Sequence, residues 1–114
     1  MSGPGGSTPP RGGNGGGGFD CDSLVVDTTL NSPEADVVKQ LKKGSKLRVD
    51  LGKSPAGRDI LLALTKDGKI AGSLTPPQVL DIMNCLRGGH SYIAEVQAEP
   101  SGGECRVRIR SGSL

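Results

Sequence analysis

Strict alternation of apolar and charged residues in two segments constrains the fold of this chain more than any other feature. The segment KLRVDL at residues 46–51 alternates throughout, and CRVRIR at residues 105–110 places Arg106, Arg108 and Arg110 between Cys, Val and Ile. Successive side chains of a β-strand point to opposite faces. Both segments therefore predict strands of a sheet that has one buried face and one face in water.

Four further stretches are rich in β-branched and apolar residues and are bounded by turn-forming residues, which is typical of strands. They are residues 21–30, 58–65, 69–74 and 91–98. The centre of residues 58–65 is apolar throughout and predicts a strand buried on both faces. Asp67 and Gly68 precede the next strand and predict a β-hairpin with a type I′ turn, which needs positive φ at both central residues.

Two short helices are predicted between the strands from their capping residues. Ser32, followed by Pro, predicts the N-cap of a helix that ends before Gly44. Thr75, followed by Pro and then by Gln78, predicts a capping box at the start of a second helix. Apolar residues recur at helical spacing after this box, and the pair Gly88–Gly89 predicts the end of the helix.

The elements follow the order β-α-β-β-β-α-β-β. This order predicts a β-rich α+β fold, either a small twisted antiparallel sheet or a partly closed OB/SH3-like barrel, with about six strands and two short helices. Residues 1–18 are almost wholly Gly, Pro, Ser, Thr and Asn and predict a disordered tail before a single domain at residues 19–114. Because no apolar run is long enough to cross a bilayer and no targeting signal is recognisable, we expect a cytoplasmic protein that does not bind membranes.

The net charge of the chain is only +2, so any anion binding must come from local clustering of cations. Alternate arginines on a strand stand ~6.6 Å apart, which is near the phosphate spacing of an extended single strand of nucleic acid. The predicted nucleic-acid-binding residues are Arg106, Arg108, Arg110, Lys46, Arg48 and Tyr92. The arginines also fit a solvated strand face, or charges that protect an edge strand from aggregation, since the last strand of a domain is often an edge. Tyr92 fits either base stacking or the core.

The titratable residues do not form a recognisable catalytic or metal site. Cys21, Cys85 and Cys105 are too few for a zinc site, and we expect reduced, buried thiols, although Cys21 and Cys105 would be able to bridge if the terminal strands pair. His90 is the only histidine, and no carboxylate or cysteine partner is evident in the sequence nearby. We therefore expect no enzymatic activity, no metal and no cofactor.

Residues 46–110 resemble the HIRAN domain in their run of strands, DG hairpin, capped helix and final strand. The positions that match the family pattern are Asp59, Asp67, Gly68, Ile70, Gly72, Leu74, Val79, Ile82, Leu86, Gly88 and Val96. The resemblance implies a six-stranded OB-like or SH3-like barrel that recognises single-stranded DNA ends. The loop KSPAGRD keeps Pro55 and Asp59 of the family loop but lacks its aromatic residue, which leaves Phe19 and Tyr92 as the aromatic residues of this chain.

Two functional hypotheses follow. The first is a non-catalytic, HIRAN-like accessory module that contacts single-stranded or end-containing DNA through a basic strand face, in DNA processing or genome defence. The second is a protein-interaction adaptor or self-assembling subunit that uses a strand edge or a helix face and binds no nucleic acid. A steep loss of DNA affinity with salt would favour the first, and a concentration-dependent mass would favour the second.

Overall fold

The computed structural model describes residues 20–114 and contains one sheet and two helices. The predicted disordered tail at residues 1–18, and Phe19, lie outside the described residues. The strands are β1 (Val25–Thr29), β2 (Lys46–Lys53), β3 (Asp59–Leu64), β4 (Ile70–Leu74), β5 (Tyr92–Val96) and β6 (Arg106–Ser111), and the helices are α1 (Ala35–Val38) and α2 (Val79–Arg87). Within residues 20–114, no helix is long and apolar enough to span a membrane.

All six strands pair antiparallel and curl into a half-barrel, which confirms the predicted strand-rich α+β class. The order across the sheet is β1-β6-β5-β2-β3-β4, which differs from the order of the strands along the chain. The last strand, β6, therefore lies between β1 and β5, and the two edges are β1 and β4. The proposal that the arginines of β6 protect a sheet edge is wrong, because β6 is an interior strand.

The two edges of the half-barrel meet at one isolated bridge, which we call the seam, between Asn31 and Ser73. Asn31 N donates to Ser73 O at 2.8 Å, and Ser73 N donates to Asn31 O at 3.0 Å. A Cβ atom at the neighbouring Gly72 would lie 3.0 Å from Asn31 O and 3.2 Å from Leu30 Cβ. A side chain at this position would therefore have to push the two edges apart by a few tenths of an ångström.

The core fills the inside of the half-barrel. Its largest fully buried side chains come from five of the strands, from α2 and from the residue before β6, and they are Tyr92, Leu47, Leu61, Leu74, Ile82, Ile109, Val96, Val107 and Cys105. Helix α2 buries Ile82, Met83 and Cys85 in this cluster. In β3 only the inward residues Leu61 and Ala63 are buried, and the opposite face is half-exposed. The expectation that β3 is buried on both faces is therefore wrong, because α2 covers only the inner side of the sheet.

The hairpin predicted at Asp67–Gly68 is present, but its turn is not type I′. Gly68 has φ +89°, whereas Asp67 is not among the residues with positive φ. Gly68 N donates to Thr65 O, and Thr65 N donates to Lys69 O. This is the pattern of a turn closed by a left-handed glycine, so one positive φ is sufficient here.

Both predicted helix N-caps are wrong. Ser32 has φ +47°, and α1 begins three residues later with no side-chain cap. Thr75 Oγ1 accepts a hydrogen bond from the Asn31 side chain instead of capping α2, which begins at Val79. Thr75 does not cap α2 because its hydroxyl is engaged by Asn31, which the seam holds against the segment that leads into α2. The predicted end of α2 at Gly88–Gly89 is confirmed.

Cys21 and Cys85 form a disulfide, with their Cα atoms 5.9 Å apart. The expectation of reduced, buried thiols is therefore wrong for Cys21 and Cys85 and holds for Cys105, and the alternative of a Cys21–Cys105 bridge is wrong. The terminal strands do pair, but their register places Leu30 opposite Cys105, and Cys105 is a free thiol in the core. Cys21 lies in the turn before β1, where Cys85 of α2 is the accessible partner.

Candidate nucleic-acid interface

The register of the sheet places all five predicted cationic side chains on its outer face, away from the core. We call Arg106, Arg108, Arg110, Lys46 and Arg48 the basic face. Across the strands they fall into rows: Thr29, Arg106 and Gln97 in the first, Asp27, Arg108, Glu95 and Lys46 in the second, and Val25, Arg110, Ile93 and Arg48 in the third. The sequence predicted the alternation of cations and apolar residues on each strand. The pairing of β5 with both β6 and β2 brings the cations of β6 and β2 together on one surface.

Arg108 is the most firmly held cation of the basic face. Its Nε lies 2.7 Å from Asp27 Oδ1 and its Nη2 lies 3.2 Å from Asp27 Oδ2, which is a two-point contact. The hydrogen bond from Arg108 lowers the pKa of Asp27, and the charge of Arg106 adds to the effect. A guanidinium held on two oxygens is oriented for that carboxylate, so Arg108 is the least available of the five for a phosphate.

Two other cations of the basic face have looser carboxylate partners. Arg110 Nε lies 3.5 Å from Glu95 Oε1, and Arg48 Nε lies 3.7 Å from Asp50 Oδ2. Exposed pairs of this kind contribute about 0–1 kcal/mol to stability, because water screens them. Both arginines therefore remain able to exchange their carboxylate for another anion.

Lys46 and Arg106 form no ion pair with any carboxylate of residues 20–114. Arg106 also borders a shallow cavity of about 380 Å³ together with Thr29 and Gln97. The row that contains Arg106 holds a hydroxyl and an amide but no carboxylate. Thr29 and Gln97 were not predicted, since only the register of β1 and β5 against β6 brings them to this arginine.

Tyr92 does not belong to the interface. Only 1 % of the residue is exposed, and Tyr92 Oη donates a hydrogen bond of 2.7 Å to Cys21 O. Burial, with the nearby charges of Asp22 and Asp20, raises the pKa of Tyr92 to about 12. The prediction that Tyr92 stacks on a base is wrong, because neither face of its ring is free. Ile93 takes the outward position of this stretch of β5, between Arg110 and Arg48, but only 2 % of it is exposed.

His90 has a carboxylate partner, contrary to the expectation from sequence. Its Nδ1 lies 3.3 Å from Oδ1 of Asp22, in the turn that the disulfide holds against α2. No group of three or more His, Cys, Asp or Glu residues that could hold a metal ion occurs in the described part of the chain. The His90–Asp22 pair therefore connects the end of α2 to the turn before β1.

A second surface of interest is an apolar groove of about 320 Å³ beside α2. Ile60, Leu74, Val79, Leu80 and Met83 are among the residues that line it. Leu80 is 70 % exposed, although it lies in the middle of the first turn of α2.

One end of this groove is charged. Asp59 is in an ion pair with Lys53 and in a second one with Arg87, whose Nη2 lies 2.7 Å from Asp59 Oδ2. The hydrogen bond from Lys53 and its charge lower the pKa of Asp59, with a smaller effect from Arg87. Because two cations meet one carboxylate, this end of the groove carries a net positive charge.

No family model matches the chain, and no curated protein or solved structure shows significant similarity to it. The resemblance to the HIRAN domain therefore stays a prediction.

Proposed function

We propose that this chain is a non-catalytic binding module whose basic face contacts nucleic acid, single-stranded or end-containing DNA, as an accessory to a DNA-processing or genome-defence system. The observation that carries the proposal is the position of Lys46 and Arg106, two exposed cations without a carboxylate partner within residues 20–114, on a face that also holds Arg48, Arg108 and Arg110. The HIRAN-like pattern of residues 46–110 supports the same ligand class.

The basic face fits the backbone of a nucleic acid better than its bases. Tyr92 is buried, so within residues 20–114 the face offers no aromatic ring to stack on a base, and stacking is worth ~1–3 kcal/mol per base. Phosphate contacts alone position a strand without reading its sequence. We therefore expect modest affinity, little sequence preference and a strong dependence on salt.

The salt dependence of the affinity distinguishes binding by the two unpaired cations from binding by all five cations of the basic face. The logarithm of affinity for a single strand falls with the logarithm of salt with a slope of about −0.7 for each phosphate neutralised. Contacts from Lys46 and Arg106 alone would give a slope of about −1.4, whereas release of the three paired arginines would bring it to about −3.5. A measured slope therefore counts the cations in use.

The test is fluorescence anisotropy of a labelled single-stranded oligonucleotide, with a recessed-end duplex as competitor, over a salt series. We expect the variant Lys46→Ala/Arg106→Ala to lose most of the binding. The matched control, Lys66→Ala/Lys69→Ala, removes the same charge from the exposed β3–β4 hairpin and should bind as the wild type does. Equal losses in the two variants, or no binding by the folded wild type at low salt, would refute the proposal.

A protein-interaction adaptor is the alternative, and the exposure of Leu80 beside the α2 groove favours it. In this case the mass in solution should rise with concentration, or a partner should bind, and Leu80→Lys should abolish the association while the fold is kept. Sedimentation velocity over a concentration series checks self-association directly. An association that Leu80→Lys leaves unchanged would exclude the groove.

The disulfide bears on the compartment in which this module would act. Disulfides persist in oxidising compartments and are rare in the cytosol. The cytoplasmic location expected from the sequence stays a proposal, and the redox state of Cys21 and Cys85 in cells tests it. Rapid alkylation of cells followed by a count of the modified cysteines would distinguish an oxidised from a reduced protein.

A further inference from the structure

The edge strand β1 has backbone groups that no other described strand uses. Leu30 N donates to Cys105 O, which fixes the alternation of hydrogen-bonded pairs between β1 and β6. By this alternation, Val26 and Thr28 bond to β6, whereas Val25, Asp27 and Thr29 direct their N–H and C=O groups away from it. On the side away from β6, these three residues face no strand within residues 20–114. We call them the β1 edge.

The seam shows that backbone groups of β1 that point away from β6 can form hydrogen bonds with another strand. Asn31 has the same parity as the three residues of the β1 edge, and it exchanges two hydrogen bonds with Ser73. Beyond this bridge, β1 and β4 have no further pairing. The β1 edge is therefore the continuation of a ladder that this chain begins and does not complete.

The side chains beside the β1 edge indicate what would complete it. In the second row, the charges alternate as Asp27, Arg108, Glu95, Lys46. Glu95 has a cationic neighbour on each side, whereas Asp27 has one on the β6 side only and its side chain is 65 % exposed. Val25, two residues away, is 60 % exposed. The next strand in this sheet would best place a cation opposite Asp27 and an apolar residue opposite Val25.

We propose that the β1 edge is the docking site for an extended segment of a partner protein, which adds to the sheet as an antiparallel seventh strand. In the direction of that strand, its alternate residues are a small hydroxyl residue opposite Thr29, a lysine or arginine opposite Asp27 and a β-branched apolar residue opposite Val25. Backbone hydrogen bonds give the affinity, and the two side-chain positions give the selectivity. The β1 edge adjoins the basic face, since Asp27 binds Arg108 and Thr29 borders the same cavity as Arg106, but its free backbone groups point away from β6.

A second copy of the chain fits the β1 edge less well. Antiparallel pairing of two β1 strands in the register that uses all three edge residues brings Asp27 opposite the same residue of the other copy. Like charges directly opposite each other destabilise a strand pair. A partner with a basic residue at this position meets no such penalty.

The test is a titration of ¹⁵N-labelled full-length protein with a capped peptide whose alternate residues are Thr, Lys and Val, followed by heteronuclear NMR up to millimolar peptide. We expect shifts and slower hydrogen exchange at the amides of Val25, Asp27 and Thr29. The same peptide with Glu in place of Lys should bind about two- to thirtyfold more weakly, from favourable and unfavourable charge pairs of about 0.2–1 kcal/mol each.

Two variants separate backbone addition from general attraction. Val25→Pro removes an N–H that faces solvent, where a strand tolerates proline, and should abolish binding, while the matched control Val25→Thr keeps the N–H and should bind. Asp27→Asn should remove the preference for the Lys peptide. Absence of the three amide shifts with both peptides would overturn the proposal. So would binding that survives Val25→Pro, or a concentration-dependent dimer that Val25→Pro abolishes.

Discussion

Loss of the Cys21–Cys85 disulfide should be the most damaging single covalent change to this fold. The two cysteines are 64 residues apart in sequence, so the bridge closes a long loop that includes α1, β1 to β4 and most of α2. The chain-entropy relation for a loop of this length gives about 4 kcal/mol of stabilisation, through restriction of the unfolded chain. Domains of this size have stabilities on the order of 5–15 kcal/mol, so the bridge supplies a large part of the total.

The variant that tests this value is Cys21→Ser/Cys85→Ala, in which the half-buried position receives a hydroxyl and the buried position does not. Urea unfolding should give a free energy of unfolding about 4 kcal/mol below that of the wild type. Reductant should lower the free energy of unfolding of the wild type and leave that of the variant unchanged. The control Cys105→Ala removes a buried thiol without a bridge and should keep its response to reductant.

Three results would show that the reasoning is wrong. The first is a difference of less than about 1 kcal/mol between the wild type and the double variant, because the loop then contributes little entropy. The second is an equal response of the two proteins to reductant. The third is the alkylation of three cysteines, instead of one, in wild type unfolded without reductant.

Two further predictions follow from the seam and from Tyr92. Gly72→Ala should lower the free energy of unfolding by about 1–3 kcal/mol, because its Cβ would press on Asn31 O; urea unfolding measures this, and an unchanged midpoint would mean that the edges separate freely. Tyr92 is the only tyrosine, so ultraviolet absorbance should show one phenol titrating at about 12. This pKa lies above the value of about 10 in the unfolded chain, so the neutral phenol of Tyr92 stabilises the folded state. This contribution to the free energy of unfolding is complete below pH ~10 and is lost as the pH rises through 12. Titration near 10 in folded protein would place the ring in water.

The strands were predictable from sequence because alternation is a local property. Arg106, Arg108 and Arg110 fall on one face for the same reason that Val107 and Ile109 fall on the other. Tyr92 shares its parity with Ala94 and Val96, which face the core, so its inward direction was readable in the same way.

The rest depends on contacts between residues far apart in sequence. Asp27 and Arg108 are 81 residues apart, and no pattern in either strand indicates that they pair. The same applies to Cys21 and Cys85, and to Asn31, which engages Thr75 and so displaces the predicted cap of α2. The outer face is therefore a mixed ladder of charges, where the sequence of β6 alone predicted a cationic one.

The pairing of the first strand with the last also sets the order of events during synthesis. A ribosome adds ~5–20 residues per second, so roughly 4–16 s pass between the appearance of Asp27 and that of Arg108, 81 residues later. During this interval β2, β3 and β4 can pair as neighbours along the chain, and Cys21 can meet Cys85, whereas β1 has no strand to pair with. Nascent chains should therefore expose β1 to chaperones and proteases until β6 emerges.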